Sequence, residues 1–368
     1  MIKYVKIHKD TKDNTKPSIR PIEVVSKHAI KYIGQSGTSG YACAAKGYLA
    51  DYVLRNIPVK WEKLNFDNSV NDLSNYVDAL AESAYHTNYG KYDTIIVHST
   101  PDIWSGYIEN NKNIPNKVGY CTWETNKLPL KWVESINLMP EVWVPSTFNN
   151  ECFINSGVTS KIKVVPHIWH PHKLIDKDNI KIYDYCRNII PNNKFTFYSI
   201  GELNFRKGIE DLVNIFDKFN DDYPNTQLIV KVHYKEYNDT NRKYCIDTLS
   251  KLTNKLGKSI YLILDNLSNN EVLALHSFGD CYVSLNKGEG FGLTIFDAYN
   301  LGKKVITTGY GGQVDYLGTD YSGLVNFKIN KVTGMDNFST NYSNDQEWAY
   351  PDLDHTYLLM KSFYENKL

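Results

Sequence analysis

Glu289 and Asp297 stand eight residues apart, and the glycine-rich stretch Gly288-Glu289-Gly290-Phe291-Gly292 fills the near side of that interval. Two carboxylates so placed can address opposite ends of one ligand, each accepting from hydroxyls. The glycines allow a ligand to approach the backbone closely. The next residues, Leu293 and Thr294, open a predicted helix, and the free N–H groups of a helix N-terminus favour phosphate. A second glycine turn follows, with Gly311, Gly312 and Gln313. Arg206 and Lys207 supply adjacent cations that suit a diphosphate, where charge builds as a group departs. Taken alone, they read first as a solvated pair at a helix start. His98 ends the run Thr94-Ile95-Ile96-Val97-His98, and the carboxyl end of such a strand faces a cleft. Gly37-Thr38-Ser39-Gly40-Tyr41 forms a further glycine loop whose amides suit pyrophosphate or an acceptor. Trp123 and Glu124 follow another strand. The indole suits either stacking on a ligand or a core, and the acid either a ligand hydroxyl or a helix cap. His167, His170 and His172 cluster without a convincing carboxylate partner, so no metal site is expected.

These residues need strands and helices to bring them together. Short β-branched runs alternate with longer polar-apolar segments, which predicts α/β layering with parallel strands. The first half offers strands at Ala29–Gly34, Thr94–His98, Val118–Thr122, Glu141–Pro145 and Lys161–Pro166, with helices at Ala42–Asn56, Ser69–Ala84 and Lys131–Asn137. The pattern restarts at Phe195–Ile200 and continues to a strand at Lys304–Thr307. Two doubly wound sheets are implied, with ligands outside the carboxyl ends of their strands. The expected division is a first doubly wound domain over 1–168, a linker over 169–194, a second doubly wound domain over 195–345, and a terminal helical segment over 346–368 packing back toward the first domain.

The chain has 368 residues, long enough for two domains, and 42% of them are hydrophobic. Its 41 basic and 41 acidic residues cancel, which argues against a broad face for nucleic acid or anionic membrane and leaves a local basic cleft open. The excess of Asn and Tyr reads as codon choice in an AT-rich genome. Six scattered cysteines form no CxxC pair, as in a chain with reduced thiols. The N-terminal residues reach charge before any long apolar run, and no membrane span is expected. The expected place is the cytoplasm, of the host if the source is viral.

Glu289-Gly-Phe-Gly-Leu…Asp297 followed by Ala298-Tyr299-Asn300-Leu301-Gly302 resembles the E-x7-E region of retaining family-4 glycosyltransferases of the GT-B fold. Gly34–Tyr41 resembles the first glycine loop of that family. Glu141–Ser146 with Val164–His167 resembles the end of its N-terminal domain, and Gly201–Glu202 with Arg206–Gly208 the start of its nucleotide-binding domain. The resemblance implies two Rossmann-like domains facing each other across a cleft, 1–168 on the acceptor side and 195–345 binding the nucleotide sugar. It implies catalytic roles for Glu289, His98, Lys207 and Arg206. Donor binding would fall to Gly37, Thr38, Ser39, Gly40, Tyr41, Gly290, Phe291, Gly292, Leu293, Thr294, Asp297, Gly311 and Gly312. Trp123 and Glu124 would lie on the acceptor side. Asp297 stands where the family usually has Glu, one methylene longer. Glu202 stands where many relatives have Arg, which points to Arg206 as the second cation.

The implied reaction moves a sugar from a nucleoside diphosphate, UDP- or GDP-linked, to an acceptor hydroxyl on a glycan, lipid or small molecule, a carbohydrate being the expected class, with retention and without a metal or other cofactor. Rival readings are a sugar-nucleotide epimerase or phosphorylase on the same fold, a phage-type enzyme glycosylating modified DNA, and a non-catalytic sugar-binding module.

Overall fold

The computed structural model describes residues 22–24, 28–64, 75–170, 190–191, 193–233, 238–333 and 340–366. Its first part contains β1 (Ile22–Val24), β2 (Ile30–Gln35), β3 (Val59–Leu64), β4 (Thr87–Tyr89), β5 (Thr94–His98), β6 (Asn116–Tyr120), β7 (Glu141–Val144) and β8 (Lys161–Val164). Between them lie α1 (Gly40–Leu54), α2 (Tyr76–His86), α3 (Trp104–Asn110), α4 (Leu130–Ile136) and α5 (Thr147–Asn155). The second part contains β9 (Phe195–Glu202), β10 (Thr226–His233), β11 (Ile260–Ile263), β12 (Cys281–Ser284), β13 (Lys304–Thr308), β14 (Leu324–Val325), β15 (Phe327–Lys331) and β16 (Glu347–Pro351). Its helices are α6 (Ile209–Asp222), α7 (Asp239–Leu249), α8 (Asn269–Phe278), α9 (Leu293–Asn300), α10 (Gln313–Leu317) and α11 (Leu353–Tyr364).

Each part is built on a six-stranded parallel sheet. The orders are β3-β2-β5-β6-β7-β8 and β11-β10-β9-β12-β13-β14. Parallel sheets need cover on both faces, and the strand sequences supply it. In β2 and β5, Ile33, Ile95 and Val97 enter one core with Trp104, Trp132 and Phe153. Their neighbours Tyr32 and Ile96 enter the opposite core with Leu49, Trp61 and Ala81. In the second sheet, Phe197 and Val230 face α6, while Tyr198 and Ile229 join Leu275, Ile295 and Val305 on the other side.

Strand order reverses between β2 and β5 in the first sheet and between β9 and β12 in the second. Crevices open at such switch points, outside the carboxyl ends of the strands. The end of β5 and the segments after β2, β6, β9, β12 and β13 carry the residues singled out by their chemistry.

The terminal segment differs from expectation. Residues 347–351 form β16, antiparallel to β15, and only then does α11 begin. Helix α11 packs on the second domain and not back on the first: Leu359, Met360 and Phe363 enter the core of Phe216, Val230 and Ile306. Their apolar stripe meets the open face of α6, β13 and β14, which otherwise would be left bare. The first domain is touched instead by Tyr342 and by Glu347 at the start of β16. The last sheet strand, β8, ends at Val164, and β9 begins at Phe195. Most of the expected linker, with His172 and Cys186, lies outside the described residues. Among the described cysteines, Cys43, Cys121, Cys152 and Cys281 are free thiols. No described helix is long and apolar enough to cross a membrane.

Candidate active site

Glu289 lies between the two cations predicted to share its ligand. Lys207 Nζ stands 2.8 Å from Oε1 and 3.0 Å from Oε2. Arg206 Nη1 donates to Oε2 at 2.8 Å and to the Gly288 carbonyl at 2.8 Å. The short turn carrying the cations is fixed at its start, where Asn204 accepts from the Lys207 amide at 3.0 Å. The Lys287 amide donates to the Arg206 carbonyl at 2.7 Å, tying that turn to the glycine loop. Burial pushes the Glu289 pKa up, but Lys207 and then Arg206 outweigh it and hold the acid below its ordinary value. Glu289 is therefore a carboxylate in the unliganded protein.

Asp297 sits on α9 in the opposite electrostatic state. Its carboxyl group has no hydrogen-bond or ion-pair partner among the described residues, and burial pushes its pKa up to about 7. Gly292 precedes α9 with φ 84°, a left-handed conformation that suits glycine. Thr294 Oγ1 pairs with the Tyr282 hydroxyl at 2.8 Å, Leu293 is the first helical residue, and Phe291 is buried against His167, Phe296 and Tyr316. The second glycine turn rests on the first: the Gly312 amide donates to the Glu289 carbonyl at 2.8 Å, and Gly311 adjoins it. Gln313 is buried and donates to the Thr308 and Tyr310 carbonyls.

The facing loops belong to the first domain. Gly290 approaches them so closely that an added Cβ would lie 2.0 Å from Thr122 Oγ1, and one on Gly288 would lie 2.0 Å from the Glu124 carbonyl oxygen. Glycine is required here by the opposite domain's backbone, besides any ligand. Ser146 Oγ donates to the Gly290 carbonyl at 2.7 Å, and the Thr147 amide and hydroxyl reach the two carboxylate oxygens of Asp315.

In the loop over Gly37, Thr38, Ser39, Gly40 and Tyr41, Ser39 caps α1 and Gly40 begins it. The Gly37 carbonyl accepts from Lys46 at 2.9 Å, and the buried Lys46 pairs with buried Asp78 at 2.8 Å. The Thr38 carbonyl accepts from the Cys43 thiol. Tyr41 OH bridges to both the amide and the carbonyl of Thr122, each at 3.2 Å. His98 does end β5, but it is only 1% exposed and sits inside an aromatic cage. Its Nδ1 is 2.6 Å from Tyr32 OH, and its ring lies 4.2 Å from that of Tyr120 and 6.3 Å from that of His167. Burial, then His167, lower its pKa well below 6.5, so the imidazole is neutral.

Two acceptor-side expectations change. Trp123 is core, not a sugar platform: its indole N–H donates to Thr125 Oγ1 at 2.7 Å and to the Lys127 carbonyl at 2.8 Å, and its ring packs on Trp132 and Tyr342. Glu124 is not a helix cap. Its Oε1 accepts from Tyr342 OH at 2.6 Å and lies 3.4 Å from Arg206 Nε. Tyr342, Asp315 and Thr122 escaped sequence reasoning. Tyr342 is one of 28 tyrosines in a stretch with no periodicity, and nothing local marks it. Of the three clustered histidines, His167 and His170 bond to Tyr120 and to the Gly47 carbonyl, and no group of His, Cys, Asp or Glu among the described residues is placed to hold a metal.

Two parallel sheets, with an acid between two cations where they meet, invite comparison with known proteins. Residues 187–331 match the family model Glycosyl transferases group 1. The group 1 region runs from just before β9 to the end of β15 and holds Arg206, Lys207, Glu289 and Asp297. An uncharacterized glycosyltransferase of Methanocaldococcus jannaschii is 29% identical over 172 residues, 46% of this chain and 39% of that protein. The match thus spans well under half of that curated relative. Among solved structures, a glycosyltransferase from Rickettsia africae superposes with TM-score 0.61 at 15% identity, covering 82% of this chain and 84% of that one. Sucrose-phosphate synthase from Thermosynechococcus elongatus gives 0.61 at 14% identity, covering 92% and 90%. Anabaena HepE, solved in complex with UDP and glucose, gives 0.55 at 17% identity, covering 78% and 82%. These likenesses establish the GT-B fold.

Proposed function

We propose that this chain is a glycosyltransferase that moves a sugar from a nucleoside diphosphate to an acceptor hydroxyl with retention at the anomeric carbon. The observation that carries the reading is the contact of Glu289 with Lys207 and Arg206 at the junction of two GT-B domains. The bond that breaks is to phosphate, so the leaving group needs charge stabilisation more than protonation. Lys207, Arg206 and the amides at the start of α9 are the groups to supply it, and no metal is required. Glu289, ionised and aimed by the cations, would orient the transferred sugar. Asp297, without a partner of its own, would accept from the ribose hydroxyls. His98 is held neutral and can offer a hydrogen bond to the sugar. The close packing of the Gly288–Gly292 loop on the first domain would exclude water, which otherwise hydrolyses the donor. A UDP- or GDP-linked donor and a carbohydrate acceptor are the substrate classes we infer. The UDP complex of the structural neighbour HepE supports a nucleotide-sugar donor.

Thermal-shift screening of UDP, GDP, ADP and their sugars tests this directly. The cognate diphosphate at 100 times its dissociation constant should stabilise the fold by about 2.7 kcal/mol. With that donor, Glu289→Ala should lower turnover by about 10² to 10³. Absence of any stabilising nucleotide, an isomerised donor as sole product, or undiminished turnover in Glu289→Ala would refute the proposal.

A further inference from the structure

Arg206 is shared by two acids from different domains. Glu289 of the second domain takes Nη1, while Glu124 of the first domain faces Nε at 3.4 Å. Nε is buried and makes no hydrogen bond, so the Glu124 contact is an ion pair without a hydrogen bond. Burial works against the guanidinium charge, but Glu124 and Glu289 hold it on. Glu124 is itself fixed by Tyr342, whose ring lies 5.1 Å from that of Trp123 and 6.0 Å from that of Trp348. The segment after Tyr342 is stitched to the same loop. The Asn126 amide donates to the Glu347 carbonyl at 3.2 Å, and Asn126 Oδ1 accepts from the Glu347 amide at 2.7 Å. Two residues on, the Ala349 amide donates to the Lys287 carbonyl at 2.7 Å, in the glycine loop. Residues 342–349 therefore join the loop after β6 to the loop after β12.

We infer that Glu124, held by Tyr342, is a positioning residue that keeps the Arg206 guanidinium aligned once Glu289 turns to a ligand, so that the cation is set only when the domains meet. This rests on the proposed glycosyltransferase reading. With Glu289 engaged on a sugar, a buried arginine without a second counter-charge would swing away or carry an unpaired charge. Glu124 removes that need, and it comes from the domain that must close. Tyr342 OH donates to Glu124 and fixes its carboxylate plane. Neither residue has to touch the donor.

The experiment uses the full chain. Calorimetry with UDP, GDP and ADP identifies the diphosphate that binds, and acceptor-free hydrolysis of the matching nucleotide sugar gives kcat. Glu124→Gln should lower kcat by about 30-fold while the diphosphate dissociation constant stays within about threefold of the original. Tyr342→Phe keeps the ring and should lower kcat by about three- to tenfold. The double variant should be no worse than Glu124→Gln alone, since both act through one carboxylate. If Glu124→Gln fails to fold, Tyr342→Phe carries the same split between kcat and affinity. Unchanged kcat in both variants, equal losses of kcat and affinity, or additive losses in the double variant would overturn the inference with the glycosyltransferase reading intact. An original protein that binds no nucleoside diphosphate would overturn both.

Discussion

The two acids of the site respond to pH in opposite directions. Glu289 is held below its ordinary value, so its contribution to stability is present above that value and is lost as acid protonates it. Asp297 is raised to about 7 from 3.8, and for it the sign reverses. In strong acid it is protonated both folded and unfolded, and it costs nothing. Between about pH 4 and 7 the unfolded chain ionises first, and the fold loses stability as pH rises. Asp297→Asn should accordingly raise the melting temperature of the unliganded protein near pH 8, with the gain shrinking toward about pH 4 in scanning calorimetry. The same variant should weaken diphosphate binding by about tenfold through lost charge-assisted bonds to hydroxyls. A melting temperature unmoved near pH 8 would show that the acid is already paired. His98 and His167 are neutral with pKa values lowered by burial, so no histidine limb from either is expected in a rate profile above about pH 6.

At the scale of loops and strands, the glycine loop after β12 acts as a contact surface between domains. Gly290→Ala puts a methyl 2.0 Å from Thr122 Oγ1 and 2.8 Å from the Trp123 carbonyl oxygen. The closed arrangement should be disfavoured by about 1–3 kcal/mol, seen as a larger radius of gyration in solution scattering and a fall in turnover. A radius and turnover equal to those of the original protein would contradict this reading. Much of this layout was legible in the sequence. The runs Thr94–His98, Phe195–Ile200 and Lys304–Thr307 are short and rich in β-branched and aromatic residues, with little charge inside them, and such runs report buried parallel strands. Glu289, Lys207 and Arg206 were legible as types at loop positions, but their mutual contact was not, since Arg206 and Glu289 are brought together only by the pairing of β9 with β12. β3 escaped because Glu62 and Lys63 interrupt its apolar residues Val59, Trp61 and Leu64. Trp123 was ambiguous for a related reason: an indole serves equally to stack on a ligand or to fill a core, and only Thr125 and Lys127 decide.

Across the whole molecule, the meeting point of the domains is nearly charge-neutral. Arg206 and Lys207 are balanced by Glu124 and Glu289, in a chain whose formal net charge is also zero. Donor binding should then weaken only modestly between low and physiological salt, since the contacts are local and partly buried. Calorimetry at two ionic strengths checks this, and a steep dependence would point to a wider basic surface. The terminal helix makes a second prediction at this scale. Met360 is fully buried between α6 and the second sheet, and Met360→Ala should cost about 2–5 kcal/mol, read as a lower midpoint in denaturant. The path of the chain from β15 through Tyr342 to α11 bears on how such domains can be exchanged between proteins. A second domain cut at residue 331, where the group 1 match ends, would lose both the helix that seals its sheet and the tyrosine that holds Glu124. A module running through α11 keeps both, but it brings Tyr342, Asp345 and Glu347 as a fixed key. It can work only with a first domain whose loop at 123–127 has the matching shape.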